Sequence, residues 1–348
     1  MKFINTIYKR LKQKQPYRVI GKSIRNVFFP EKVDFEERQR TLFIEISSIC
    51  NAKCIFCIYR FNYRSPRLLE VEEFRKIAES AVQSGYHSLN LCPLTGEIFI
   101  HPDAVPLIRL AKKAGFEHIS ATTNGILLYR HNLQELLQSG INQLVISFPG
   151  FTETSFAEIF GVRKFPEFIK SVSELLITHQ KLDSKVMLCF APRSYLTREQ
   201  IMSSDFYKNI VSKFESNLIY LDNTIDIVDS WGGKIKSKDL VKGMKVDRSP
   251  IKSLYPLKKV YLCDRLLDVG VLANGDVRLC ICRYDSTIET PMDPLFIDKL
   301  NNYSSFQELM IKNKEKINQI WADFITGNLP KICRKCPFYR PIKDVKFY

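Results

Sequence analysis

The sequence predicts an α/β protein: a partial (β/α)6 barrel followed by a small unit made of a β-hairpin and a helix. Two observations carry this. From Thr41 to about Asp222, short β-rich runs alternate with helical segments, which is the pattern of repeated βα units around a parallel sheet. Beyond residue 260 the rhythm gives way to an Asn-Gly turn between two apolar runs and then a capped helix.

In chain order, the expected strands are Thr41–Ile46, His87–Cys92, His118–Thr122, Gln143–Phe148, Lys185–Phe190 and Asn217–Asp222. Helices are expected over Glu70–Gln83, Ala104–Ala114 and Phe165–His179, and Gly85, Gly115 and Gly140 mark helix ends. Residues 223–260, with a Trp-Gly-Gly-Lys turn, many lysines and two prolines, read as an irregular linker. In the last unit, 261–348, Leu266–Leu272 and Asp276–Cys282 flank Asn274-Gly275, and Ser305-Phe-Gln-Glu308 opens a helix to about Ile325. Residues 1–40 form a separate basic amphipathic arm.

The chain has 348 residues, 45% hydrophobic and 26% charged, as a globular protein does. It contains no run of about eighteen apolar residues, and lysines interrupt its start too often for a signal-peptide core, so a cytoplasmic protein is expected. The formal net charge is +15, and residues 1–40 hold eleven Lys or Arg against four acids. That excess favours an anionic neighbour: a phosphorylated substrate, an acidic membrane face or nucleic acid. Within the arm, Phe3, Ile7, Tyr8, Leu11, Tyr17, Ile20 and Phe28 are scattered among the basic residues. Such a segment can pack on the barrel or lie on the inner face of a membrane.

Ten cysteines in a chain without a secretion signal point to metal ligands and not to disulfides. Cys50-x3-Cys54-x2-Cys57 directly follows the first strand, at the strand end where α/β proteins place their sites. Three thiolates can hold three irons of a four-iron cluster and leave the fourth open to a substrate. A zinc site completed from elsewhere is the competing reading of the same residues.

With Phe56 before its last cysteine, this loop resembles the CxxxCxΦC loop of the radical S-adenosylmethionine (radical SAM) superfamily. The resemblance implies that the open iron binds the amino and carboxylate groups of S-adenosylmethionine (SAM), and that one-electron reduction cleaves SAM to methionine and a 5′-deoxyadenosyl radical. Thr95-Gly96-Glu97, followed by His101-Pro102-Asp103, is similar to the family's GGE segment with threonine in place of the first glycine. By that likeness Glu97 holds the methionine ammonium, whereas a plain surface glutamate is the bland reading. Thr123-Asn124-Gly125 resembles the family's TNG turn, which ordinary turns also produce, and Ser147 resembles a position that touches SAM.

Cys263-x11-Gly275-x4-Cys280 with Cys333-x2-Cys336 resembles the auxiliary-cluster unit of the SPASM and twitch subfamilies. No cysteine follows Cys336, which implies the twitch form, with one [4Fe–4S] cluster fully ligated by Cys263, Cys280, Cys333 and Cys336. Zinc fits the same four thiolates. Cys92 reads as a small core hydrophobe. Cys189 and Cys282 could donate a hydrogen atom to a substrate radical, or be inert. Arg163 and Arg193 could clamp an anionic substrate, or be solvated charge.

The resulting expectation is a SAM-dependent radical enzyme that abstracts hydrogen from a small phosphorylated, nucleotide-linked or lipid-linked sugar and carries out a net two-electron oxidation, with a flavodoxin or ferredoxin as electron donor. The alternatives are an epimerase, a peptide or protein modifier, and a cysteine-rich metal module on nucleic acid. The arm is short for the leader-recognition domain of peptide-modifying relatives, and no specific nucleic-acid partner is expected.

Overall fold

The structure is a computed structural model and describes residues 31–32, 40–61, 64–91, 95–222, 227–246, 261–281, 293–334, 336, 339 and 341–343. The amino-terminal arm, Cys92, Cys282 and part of the 223–260 stretch lie outside the described residues, apart from short pieces of the arm and stretch.

Six parallel strands form in the expected order: β1 (Thr41–Ile44), β2 (Ser88–Leu91), β3 (His118–Thr123), β4 (Gln143–Phe148), β5 (Met187–Pro192) and β6 (Ile219–Leu221). Their crossovers carry α1 (Val71–Gln83), α2 (Ala104–Ala114), α3 (Leu133–Leu137), α4 (Glu153–Phe160), α5 (Phe165–Lys181) and α6 (Arg198–Ser203). Local chemistry fixes the ends of these helices. Thr152 and Ser155 cap α4 reciprocally, and Gly161, at φ 67°, ends it.

Strand β5 begins two residues later than expected. The chain leaves α5 through Asp183 at φ 44°, and the buried His179 ring holds Val186 O at 2.8 Å, so Lys185 and Val186 belong to the approach and not to the ladder.

Alternation sorts each strand onto two faces. Leu42 and Ile44 of β1, Leu144, Ile146 and Phe148 of β4, and Leu188 and Phe190 of β5 enter the core between sheet and helices. Gln143, Val145 and Ser147 take the opposite, concave face and are half-buried. Phe43 faces that way too, in a separate apolar cluster with Leu272, Ile281 and Trp231.

The hairpin of the last unit forms and extends the barrel sheet. Strand β7 (Val269–Val271) runs parallel to β1, pairing Val269 with Leu42 and Val271 with Ile44, and β8 (Asp276–Leu279) and β9 (Phe296–Lys299) follow antiparallel. One nine-stranded sheet results. Its Ala273-Asn274-Gly275 turn places Gly275 at φ 82°, the left-handed position that glycine fills without steric cost.

The single helix expected from Ser305 to Ile325 is two, α7 (Phe306–Lys312) and α8 (Lys314–Ile325). Asn313 breaks it: its amide bonds Leu309 O at 3.0 Å and the Tyr303 hydroxyl at 2.9 Å, competing with the backbone ladder. Within the described part of the 223–260 stretch, Ile227–Val228 pairs with Lys245–Val246, and Trp231–Gly233 and Ser237–Asp239 form short 3-10 turns. Among the described residues, no helix is long and apolar enough to cross a membrane.

Candidate functional site

The loop carrying Cys50, Cys54 and Cys57 leaves the carboxyl end of β1 and is pinned on several sides. Lys53 N and Ile55 N donate to the end of α4, at Phe160 O (2.8 Å) and Ile159 O (3.0 Å). Cys50 N donates to the Tyr59 hydroxyl at 3.1 Å, and Tyr59 N donates to Cys57 Sγ at 3.4 Å. Trp231 Nε1 donates to Phe56 O at 3.1 Å, while the Phe56 ring tilts against Phe160. All three cysteines are half-buried thiols, and all eight described cysteines are free of disulfides.

Gly96 explains why the segment after β2 carries a glycine. A Cβ there would stand 1.9 Å from Ser47 O, so this backbone lies directly on the start of the cysteine loop, and Glu97 N donates to Ile49 O at 2.7 Å.

Glu97 is buried, and both its oxygens are engaged. They accept from Thr123 Oγ1 (2.6 Å), Asn124 N (2.7 Å) and Phe99 N (3.3 Å). Burial pushes its carboxyl up to about 7 despite these donors. The TNG turn is therefore part of the site through Glu97. Asn124 also reaches forward, its amide donating to Asn51 Oδ1 at 2.7 Å and approaching Cys50 Sγ at 3.9 Å. Burial, then the Glu97 charge, drives the Cys50 thiol up to about 12, and burial with the neighbouring Cys57 and Cys50 raises Cys54. The three sulfurs thus feel one another, and a bound cation is what would release their protons.

Thr95, next to Gly96, is also tied into a second buried network. Its buried hydroxyl joins an ion pair in which Arg64 clamps Glu45 with two bonds, at 2.8 and 2.7 Å, and Arg64 also donates to Thr95. Glu45 further accepts from Ala273 N of the hairpin turn at 3.1 Å. This network was missed in the sequence, where only a carboxylate inside the apolar run Thr41–Ile46 signalled it.

Cys189 lies on the concave face of β5, outside the main core, opposite Tyr220 of β6. Its thiol is raised by burial and sensed by Asp222 and Arg193, so these groups share the mouth of the barrel. Ser147 is half-buried on the same face of β4. Arg163 stands exposed in the α4–α5 turn.

The described carboxyl-terminal cysteines, Cys263, Cys280, Cys333 and Cys336, are buried. Cys263 sits where Leu262–Cys263 pairs with Pro341–Ile342, Cys333 lies on the short helix α9 (Lys331–Arg334), and Cys336 N donates to Cys333 O at 3.0 Å. Burial first, then Cys336 and Cys263, raises the Cys333 thiol. Cys280 closes β8 at φ 55°. Arg278, fully buried, donates to Cys280 O and forms a two-bond ion pair with Asp293 at 3.0 and 2.7 Å.

Residues 44–189 match the family model of the Radical SAM superfamily. The chain carries a radical SAM domain. A "Probable GTP 3',8-cyclase" of Sulfurisphaera tokodaii is 24% identical over 271 residues, covering 71% of this chain and 82% of that protein. Another of that name, from Saccharolobus solfataricus, is 30% identical over 133 residues, 38% of this chain and 42% of its own length. The solved structure of BtrN in complex with AdoMet and 2-DOIA shares the fold at TM-score 0.52 and 12% identity, over 90% of this chain and 98% of that one.

A radical SAM domain works with a [4Fe–4S] cluster and SAM. The donor set here fits: three thiols on one loop, electrostatically coupled, with an N–H donor on Cys57 Sγ. Among the described residues, no group of three or more His, Cys, Asp or Glu is gathered to hold a metal ion. Four ligands of one zinc stand shoulder to shoulder, at about 2.3 Å from the ion. Thiolates of a four-iron cluster each take a different iron and stand further apart than the ligands of one zinc.

Proposed function

We propose that this radical SAM enzyme abstracts a hydrogen atom from a sugar carbon of a small phosphorylated or nucleotide-type substrate. The observation that carries this is the Cys50–Cys57 loop, half-exposed and seated on Gly96, with the buried Glu97 and Asn124 behind it. When bound there, the cluster and SAM supply a one-electron cleavage that makes the 5′-deoxyadenosyl radical.

The protein's own residues hold and orient. Cys50, Cys54 and Cys57 are the ligands, the Tyr59 and Asn124 contacts fix their loop, and Phe56, Thr95, Gly96 and Ser147 shape the SAM side. Glu97 sits near enough to raise the Cys50 thiol, so its carboxylate offers a charge for the ammonium of SAM. Cys263, Cys280, Cys333 and Cys336 hold an auxiliary cluster in a twitch-like unit over 261–348. A flavodoxin or ferredoxin supplies the electron.

The substrate class rests on the net charge of +15 and on the relatives named for a reaction of GTP. Cyclisation and oxidation share the abstraction step. A hydrogen return that ends in epimerisation is the second reading, favoured by the buried thiol of Cys189 on the concave face beside Tyr220.

The test is iron, sulfide and zinc content after anaerobic reconstitution of wild type and a Cys50/Cys54/Cys57→Ala variant, with 5′-deoxyadenosine release from SAM and product mass on GTP. About eight irons falling to about four, with deoxyadenosine from wild type alone, is expected. Zinc without deoxyadenosine would sink the reading, and an unchanged GTP pool would remove that nucleotide.

A further inference from the structure

Arg278 has no solvent exposure, in a short strand that it shares with the buried Asp276, Val277 and Leu279. Desolvating a guanidinium costs several kcal/mol, and a buried ion pair often gives no more stability than an apolar pair of the same shape. Its retention therefore asks for a use. The Asp293 carboxylate holds Nε and Nη2, leaving Nη1 on the other branch of the fork to donate to Cys280 O.

That carbonyl belongs to a residue at φ 55°, in the left-handed region, which a non-glycine side chain adopts only at a cost unless its surroundings hold it there. Two bonds do so: Arg278 on the carbonyl, and Asp268 O accepting from Cys280 N at 3.0 Å. The Asp268 carboxylate is itself paired with Arg265 at 3.2 Å. The guanidinium thus holds the Cys280 backbone on one branch of its fork and its counter-ion Asp293 on the other.

We infer that Arg278 is a positioning residue for the auxiliary cluster, holding Cys280 in its ligating conformation and raising the reduction potential by placing a fixed buried cation beside four thiolates. This rests on reading those four cysteines as iron–sulfur ligands. Reduction adds an electron to an already anionic group in a dry site, so a nearby fixed cation stabilises the reduced form.

The experiment uses the full chain with Cys50/Cys54/Cys57→Ala, anaerobically reconstituted so that only the second site holds iron, and follows reduction by electron paramagnetic resonance during a potentiometric titration. Arg278→Met with Asp293→Asn, which removes both charges together, is expected to shift the reduced-to-oxidised ratio at fixed potential at least tenfold toward oxidised, or about 59 mV for one electron. Arg278→Lys, which keeps the charge but not the fork, should retain most of the potential while losing iron faster to a chelator. Asp293→Asn alone leaves the arginine in place and should move the potential the opposite way, so a double variant that fails to fold does not remove the test. Equal potentials in all variants at equal iron content would overturn the inference. A parent that takes up no iron would instead overturn the reading of the cysteines as cluster ligands.

Discussion

The two cysteine sites of this chain are built on opposite plans. Around Cys50, Cys54 and Cys57 the sulfurs are half-exposed on a loop, and the buried charge behind them is an acid, Glu97. Around Cys263, Cys280, Cys333 and Cys336 the sulfurs are buried on a strand end, short helix and turn, and the buried charged side chain bonded to a ligand's backbone is a base, Arg278, ion-paired with Asp293. An acid beside three thiolates suits a site that must admit a cationic group, such as an amine. A guanidinium beside four thiolates suits a closed site that carries more negative charge and admits nothing. On the proposed reading, the charged side chain nearest the ligands thus differs in sign between the site that binds a substrate and the site that relays electrons.

The largest effect that could break this contrast comes from emptying each site in turn. Alanine at Cys263, Cys280, Cys333 and Cys336 should remove about half of the iron and leave deoxyadenosine release from SAM intact, the reverse of the first-site variant. Loss of deoxyadenosine in both variants, measured on anaerobic samples, would mean that the sites do not divide the work.

The Glu45–Arg64 pair lies under the first site only. Arg64→Met leaves the Glu45 carboxylate buried without its cation and should cost about 3–5 kcal/mol by chemical denaturation. Iron in the second site of the folded protein should be unchanged.

Glu97 gives the smallest effect and a pH signature. Its carboxyl is raised by burial to about 7 from an ordinary 4.5. Between those values the folded chain keeps a proton that the unfolded chain has lost, so stability is full below the lower value and falls as pH rises through about 7. The cluster-free protein should lose about 3 kcal/mol across that window, and Glu97→Gln should flatten the profile. A flat wild-type profile in denaturant titrations from pH 5 to 8 would remove the contrast in buried charge.

The barrel was legible because alternation in β4 and the glycines that end helices are local signals, and local signals survive in sequence. The cysteine spacings and Gly96 were legible as motifs, although the motif does not say why Gly96 is a glycine; only the approach of Ser47 O does. What was not legible depended on distant partners. Arg64 meets Glu45 across 19 residues, and Arg278 meets Asp293 across 15. Trp231 reaches Phe56 across 175 residues, from a stretch that reads as mere linker. The break at Asn313 depended on Tyr303, a tertiary partner, overriding a capped helical pattern.

The parallel pairing of β7 on β1 also bears on how the chain is made. A ribosome delivers the first strand and its cysteine loop early, and β2 follows within some tens of residues, but the other neighbour of β1 begins at Val269. Until then the edge of β1 has no partner strand, and the Glu45 carboxylate waits for an amide 228 positions further on. The nascent barrel therefore emerges with an open seam, a state that exposes a strand edge to other chains. Closure of the barrel wall beside the first cysteine loop is thereby tied to synthesis of the distant hairpin, and metal delivery before it would find the pocket without that wall.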